Sequence, residues 1–294
     1  VNTPRMGGIV VWGSVVLTVL LLSLLTVFFD GGIFDKLNFL SRSQTWIPLS
    51  LLVLGALIGL YDDLLEIRAQ KGFSKGLSLK VRLMLVGLLA LLAGWWFYAK
   101  LEVTSVALPF YPPLELGWLI VPLFIAVVLF IYASGVIDGI DGLAGGVFAI
   151  IFGAYAGIAF FQNQIDLAAL SATIAGATLA FLWFNIPPAR FYLTETGTMG
   201  LTIALATIAF MTDTLGDGRG LLALFIIGLP LVATVLSNII QVFSKKFRKK
   251  KVFKVAPLHH HFEAIGWPSY KVTMRYWVIS AVLAFAGVAF ALVG

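Results

Sequence analysis

The chain has 294 residues, 60% of them hydrophobic and 12% charged, with a mean hydropathy of +1.01; a soluble domain has no way to bury that much apolar surface, so composition excludes that class. Cysteine is absent, which removes a disulfide framework, a thiol nucleophile and a cysteine metal site, and makes redox chemistry an unsuitable reading. The net charge of +6 is concentrated, because Lys245, Lys246, Arg248, Lys249, Lys250, Lys251 and Lys254 fall within ten residues. Such a run reads as a cytoplasmic loop beside anionic lipid, and not as a nucleic-acid surface, since hydrophobic stretches flank it and no aromatic-basic module accompanies it.

A membrane-crossing helix needs about 20 mostly apolar residues, and windows of that kind recur along the chain. They predict nine spans, near 9–29, 46–61, 81–98, 118–136, 144–161, 167–184, 199–213, 220–241 and 273–293. The predicted class is therefore all-α: a polytopic membrane bundle forming one domain over 1–294. The first span is too long, and too weakly flanked by positive charge, for a cleaved signal peptide, and is expected to remain in the mature protein. The basic run fixes the loop before the last span as cytoplasmic, and counting back places 1–8, 61–80, 137–143, 185–198 and 242–272 on that side. The other side receives 30–45, 99–117, 162–166 and 214–219, which are poor in Lys and Arg; Leu108 to Pro113 reads there as a short turn or hairpin. Every unusual polar cluster lands on the cytoplasmic side, so one site is able to collect them.

In chain order, the first cluster is Asp62 and Asp63, at the predicted end of the second span. Adjacent carboxylates at a membrane boundary are expensive unless a cation is near, which argues for a metal or a phosphate-handling base; a solvated helix-end pair is the plainer alternative. The lysines of 71–80, Lys80 among them, supply positive field for phosphorylated substrates, although each alone also reads as a headgroup-level residue. Asp138 and Asp141 alternate with Gly139 and Gly142 just before a span. Glycine permits close backbone approach, which suits nucleotide recognition, and a simple inter-helix turn is equally compatible. The segment from Asn185 to Thr198 contains Glu195, a hard oxygen ligand of the kind Mg²⁺ prefers, whose alternative role is to complement a helix N-terminus. All three histidines, His259, His260 and His261, follow the basic run. Zinc is disfavoured because consecutive side chains rarely converge on one ion; contact with a pyrophosphate is the preferred role.

Thr3-Pro4-Arg5-Met6-Gly7-Gly8, the Asp62-Asp63 pair, Asp138-Gly139-Ile140-Asp141-Gly142-Leu143-Ala144, Asn185-Ile186-Pro187-Pro188-Ala189 and Ala256-Pro257-Leu258-His259-His260-His261-Phe262-Glu263 occur in an order that resembles the polyprenyl-phosphate N-acetylhexosamine-1-phosphate transferases. The histidine segment, followed by Gly266-Trp267-Pro268, is similar in particular to the MraY family of phospho-N-acetylmuramoyl-pentapeptide transferases. The resemblance covers essentially the whole chain.

It implies a bacterial cytoplasmic-membrane enzyme that makes lipid I and UMP from UDP-MurNAc-pentapeptide and undecaprenyl phosphate with Mg²⁺, an early membrane step of peptidoglycan synthesis, with membrane lipid around it and a homodimer as the expected assembly. By the same resemblance Asp62 and Asp63 are the paired catalytic carboxylates, and Glu195 is the principal metal ligand with help from that pair. Asp138, Gly139 and Asp141 line the nucleotide pocket, and His259, His260 and His261 close its phosphate end. Asn185, Tyr192, Lys80 and Gln241 are further nucleotide-side contacts, Tyr192 by stacking on uracil. The chain departs from the family pattern where Glu195 replaces an Asp, where Tyr132 and Gly135 replace two Asn, at Arg5, and in lacking a counterpart to the first of the family's usual ten spans. A sibling transferase acting on UDP-GlcNAc and a membrane transporter are the alternative functions; the histidine segment argues against the first, and the placement of charge at loop ends against the second.

Overall fold

The computed structural model describes residues 3–29, 38, 45–70 and 76–293, without the side chains of 69 and 70. Its helices are α1 (Gly8–Phe28), α2 (Trp46–Gln70), α3 (Leu79–Ala99), α4 (Ile120–Tyr132), α5 (Leu143–Phe161), α6 (Ile165–Asn185), α7 (Thr194–Met211), α8 (Gly220–Ile227), α9 (Leu229–Phe243), α10 (Leu258–Ala264) and α11 (Ser269–Leu292). An antiparallel hairpin, β1 (Ser105–Leu108) and β2 (Tyr111–Glu115), joins α3 to α4. Helix is the form that satisfies each backbone N–H and C=O inside its own segment, which lipid demands.

Among the described residues seven helices are long and apolar enough to cross a membrane, and α8 with the α9 segment makes an eighth if the pair, bent by 70°, is one span. The bend has a local cause: Pro230 has no N–H to continue the α8 ladder, and Gly228 stands at the break. The remaining predicted span, 199–213, is α7, shorter and rich in Thr and Gly, and buried from Thr196 through Met211. It forms the axis of the bundle. Leucine, valine and phenylalanine remain exposed along α1, α3 and α11, among them Val27, Leu92, Val278 and Phe285, as expected of helices that face lipid tails.

Small residues bring α1 and α2 onto α7 at backbone distance. A Cβ on Gly59 would lie 2.1 Å from the Glu195 carbonyl oxygen, one on Gly200 would lie 2.5 Å from the Leu52 carbonyl oxygen, and one on Gly8 would lie 2.1 Å from the Gly197 nitrogen. Gly55 and Gly59 have the Gly-x-x-x-Gly spacing that allows such approach in membranes. Away from this seam, Phe97, Phe124 and Phe210 interlock with ring centroids 4.7–6.1 Å apart.

The end of α2, the start of α3, the turns before α5 and α7, and α10 gather at one end of the bundle; the hairpin and the 212–219 turn occupy the other, where Asp213 Oδ2 accepts the Ala107 N–H at 2.9 Å. One expectation is corrected here. Asp62 and Asp63 do not close α2, which continues to Gln70, so the pair lies inside a helix and not in a loop.

Candidate active site

Successive residues of a helix point about 100° apart, so the two aspartates of α2 serve different neighbours. Asp63 is fully buried. Its Oδ2 accepts from the hydroxyls of Thr194 and Thr196, both at 2.5 Å, and from the Thr196 N–H at 2.9 Å. A carboxylate at the start of α7 satisfies otherwise unpaired N–H groups and complements the helix dipole. Asp63 Oδ1 is buried with no hydrogen-bond partner. Asp62, 4% exposed, accepts the Leu77 N–H at 2.5 Å and faces Arg82 Nη1 at 3.3 Å. The same Arg82 Nη1 donates to Glu195 Oε1, so one guanidinium bridges α2 and α7. Glu195 also shares a side-chain hydrogen bond with Tyr132. Burial on this scale excludes the solvated helix-end reading of the aspartate pair.

Thr194 links the cluster to the glycine-rich loop: its hydroxyl reaches Asp63, and its N–H donates to Asp138 Oδ2 at 2.8 Å. A β-branched residue is strained at positive φ, and Thr194 sits at +56°; the two aspartates and the Met6 N–H, which donates to its hydroxyl at 3.2 Å, hold it there. Burial pushes the Asp138 carboxyl up to about 6, against the lowering effect of the Thr194 N–H.

The remaining loops lock together beside this cluster. Asp141 Oδ2 accepts the Ala189 N–H at 3.0 Å, while Asn185 accepts from Gly142 N–H at 3.0 Å and donates to the Phe191 carbonyl at 2.9 Å. A Cβ on Gly139 would stand 2.6 Å from His259 Nε2 and 2.7 Å from His260 Nε2, so the histidine segment rests directly on the Asp138-Gly139 turn. His260 Nδ1–H donates to Glu263 Oε2 at 2.6 Å, and Ser269 Oγ donates to Glu263 Oε1 at 2.5 Å. Burial raises the Glu263 carboxyl, but these two hydrogen bonds outweigh it and hold the group below its usual range. His260 Nε2 is thereby left facing the turn. His259 is fully buried, neither of its ring nitrogens has a partner, and burial with help from His260 pushes its imidazole down to about 4.

A cavity of about 460 Å³ opens between Arg5, Val136, Asp138, Tyr192, Glu195 and Thr198. Arg5 is paired with Glu66 at 2.9 Å. A larger cavity, about 720 Å³, lies at the opposite end, between the hairpin and the 214–219 turn, remote from the acid cluster.

The predicted residues thus divide. Asp62, Asp63, Asp138 and Glu195 form one connected cluster, Gly139, Asp141, Asn185, His259 and His260 build the loops against it, and Tyr192 lines the cavity. His261 accepts the Lys254 N–H through Nδ1 at 3.1 Å. Lys80 is exposed on the first turn of α3, outside the cavity lining. Gln241 is buried and bonded to the backbone of Val252 and Phe253 at 2.9–3.1 Å. Lys71 and Lys75 lie outside the described residues. Sequence reasoning missed Arg82, Thr194 and Thr196. Arg82 carried a usable signal, because an arginine at the start of a span requires a partner.

Whether these side chains suit Mg²⁺ is answered by their chemistry. Among the described residues no three acidic or histidine side chains already converge on a metal position. Magnesium, however, is usually held by one or two carboxylates together with substrate phosphates, and the unpartnered Asp63 Oδ1 beside Glu195 fits that need.

A polytopic helical bundle defines a multi-pass membrane protein, and among the described residues an acidic, arginine-bridged cluster stands beside a cavity at one end of it. The profile of glycosyl transferase family 4 matches residues 45–213. The phospho-N-acetylmuramoyl-pentapeptide-transferase of Anoxybacillus flavithermus is 34% identical over 293 residues, covering 98% of this chain and 83% of that protein; the protein of the same name from Dichelobacter nodosus is 35% identical over 308 residues, covering 97% and 79%. The chain belongs to glycosyl transferase family 4 and, within it, to the phospho-N-acetylmuramoyl-pentapeptide-transferases.

Proposed function

We propose that this protein transfers phospho-MurNAc-pentapeptide from UDP-MurNAc-pentapeptide to undecaprenyl phosphate, yielding lipid I and UMP at the cytoplasmic face of a bacterial inner membrane, with a homodimer as the assembly. The observation that carries the reading is that the acid cluster of α2 and α7 and the histidine segment meet on the same glycine-rich turn. Family membership supplies the substrate class.

In the reaction a phosphate oxygen of the lipid acceptor bonds to the β-phosphorus of the donor; the bond from that phosphorus to the bridging oxygen breaks, and UMP leaves with the electron pair. No proton need be removed if the acceptor is fully ionised. The chain's task is to bring two anions together and to hold them in line. Arg82 provides fixed positive charge between Asp62 and Glu195. Asp63 sets the start of α7, and with it the position of Glu195. His260 Nε2 and the buried, neutral His259 close the turn that carries Asp138, and Tyr192 offers a ring at the mouth of the cavity. Mg²⁺, held by Glu195 with Asp63 or Asp62, is expected to supply neutralisation of the pyrophosphate charge.

The test is release of UMP by purified protein in detergent with both substrates, with and without Mg²⁺. Mg²⁺-dependent UMP matched by lipid I supports the reading. Folded protein inert with this donor but active with UDP-GlcNAc reassigns the substrate, and inactivity with both rejects the transferase assignment.

A further inference from the structure

Beyond the acid cluster, the strongest concentration of charge has a defined shape. At its outer end α9 passes into a π-helical turn, Ser244–Arg248, and the chain then doubles back. Two buried polar side chains fix that return: Gln241 binds the backbone of Val252 and Phe253, and Ser244 Oγ donates to the Lys250 carbonyl at 2.8 Å. The result is a cavity of about 270 Å³ where Lys245, Lys251 and Lys254 converge with Asn238, and where Val242 and Val255 form part of the wall. Like charges crowd together at a cost unless an anion joins them.

The surroundings are apolar. Val242 is 63% exposed, Phe243 58% and Phe247 69%, and the two phenylalanine rings stack at 5.7 Å. α9 is turned 70° from α8, and the apolar side chains at its far end are left uncovered. Three exposed lysines lining one cavity beside exposed aromatic and branched side chains match a molecule with a phosphate at one end and hydrocarbon at the other. A water-soluble acidic peptide would need the lysines and leave the phenylalanines without a role.

We infer that the Lys245–Lys251–Lys254 pocket binds the phosphate headgroup of an anionic phospholipid, with Val242, Phe243 and Phe247 against its acyl chains, as a site separate from the acid cluster. Gln241 is then a positioning residue for this pocket. The inference rests on the membrane character of the fold and not on the transferase reading.

The experiment is native mass spectrometry of the full chain in detergent, titrated with phosphatidylglycerol or phosphatidylcholine, and comparing two triple variants of equal charge loss. K245Q/K251Q/K254Q should weaken phosphatidylglycerol binding by about a hundredfold, taking roughly fivefold for each basic side chain at an anionic surface. K246Q/K249Q/K250Q should stay within a few-fold of the parent, and F243S/F247S should weaken lipid binding without affecting that of inorganic phosphate. Thermal unfolding of each variant checks that the fold is kept. Equal loss in both lysine triples would reduce the effect to a diffuse field and overturn the inference, as would equal binding of the two lipids by the parent. Displacement of the lipid by inorganic phosphate at equal concentration would make the pocket a plain anion site. A raised KM for the nucleotide-peptide donor with lipid binding intact would assign the lysines to the donor.

Discussion

Asp63 accepts three hydrogen bonds through one oxygen and none through the other, so one side chain both fixes the start of α7 and offers a free acceptor. Asp63→Asn keeps the shape but replaces an acceptor oxygen with a donor nitrogen and removes the charge. Transfer is expected to fall on the order of a hundredfold or more, the scale on which a single preorganised group acts, with the variant still inserting in membranes; UMP release by equal amounts of purified protein measures it. His259 gives a pH prediction whose sign follows from linkage. Its folded-state value of about 4 lies below the ordinary 6.5, so the unfolded chain binds the extra proton first. The stability contribution of neutral, buried His259 is present above about pH 6.5 and is lost as the pH falls toward 4. Unfolding temperature in detergent should therefore drop between pH 7 and pH 5, and less steeply in His259→Phe. An equal slope in both proteins would contradict the assignment.

At the scale of elements, the site depends on how closely helices approach. Gly59 of α2 lies against the backbone of Glu195, so a methyl group there has to push α7 away. Gly59→Ala should cost roughly 1–3 kcal/mol, the usual range for overpacking, and should lower transfer further by displacing Glu195; thermal unfolding and turnover on the same preparation separate the two effects. Gly139→Ala acts on the other seam, where the two imidazoles stand 2.6–2.7 Å from the new Cβ position. It is expected to lift α10 from the turn and suppress transfer, while Gly153→Ala, whose Cβ meets nothing within 4 Å, should match the parent in both measurements. The helices themselves were legible in the sequence because about 20 apolar residues suffice to cross a bilayer. The true extent of α2 was not. Residues 62–70 are polar enough to read as loop, and only contacts to Leu77, Arg82, Thr194 and Thr196 make a continued helix favourable for the buried carboxylates.

For the whole molecule, the separation of the acid cluster from the hairpin end makes orientation testable. The chain has no cysteine, so single-cysteine variants report cleanly. Lys250→Cys should be labelled by a membrane-impermeant maleimide only after cells are opened, and Phe110→Cys, on the exposed hairpin tip, in intact cells. The reverse pattern would invert the proposed topology and place the site away from a cytoplasmic nucleotide donor.

Composition and local pattern alone determined that this is a helical membrane protein, that its chemistry-bearing residues share one end, and which stretches between the apolar windows carry them, because hydropathy and loop charge are properties of contiguous chain. Tertiary structure decided the rest: that Arg82 joins Asp62 to Glu195, that Thr194 is held between Asp63 and Asp138, that the histidines rest on Gly139, and that Gln241 shapes a lysine pocket. Asp63 and Thr194 are 131 positions apart, and only the close crossing of α2 and α7 brings them within hydrogen-bond reach, a distance on which burial, charge and reactivity all depend.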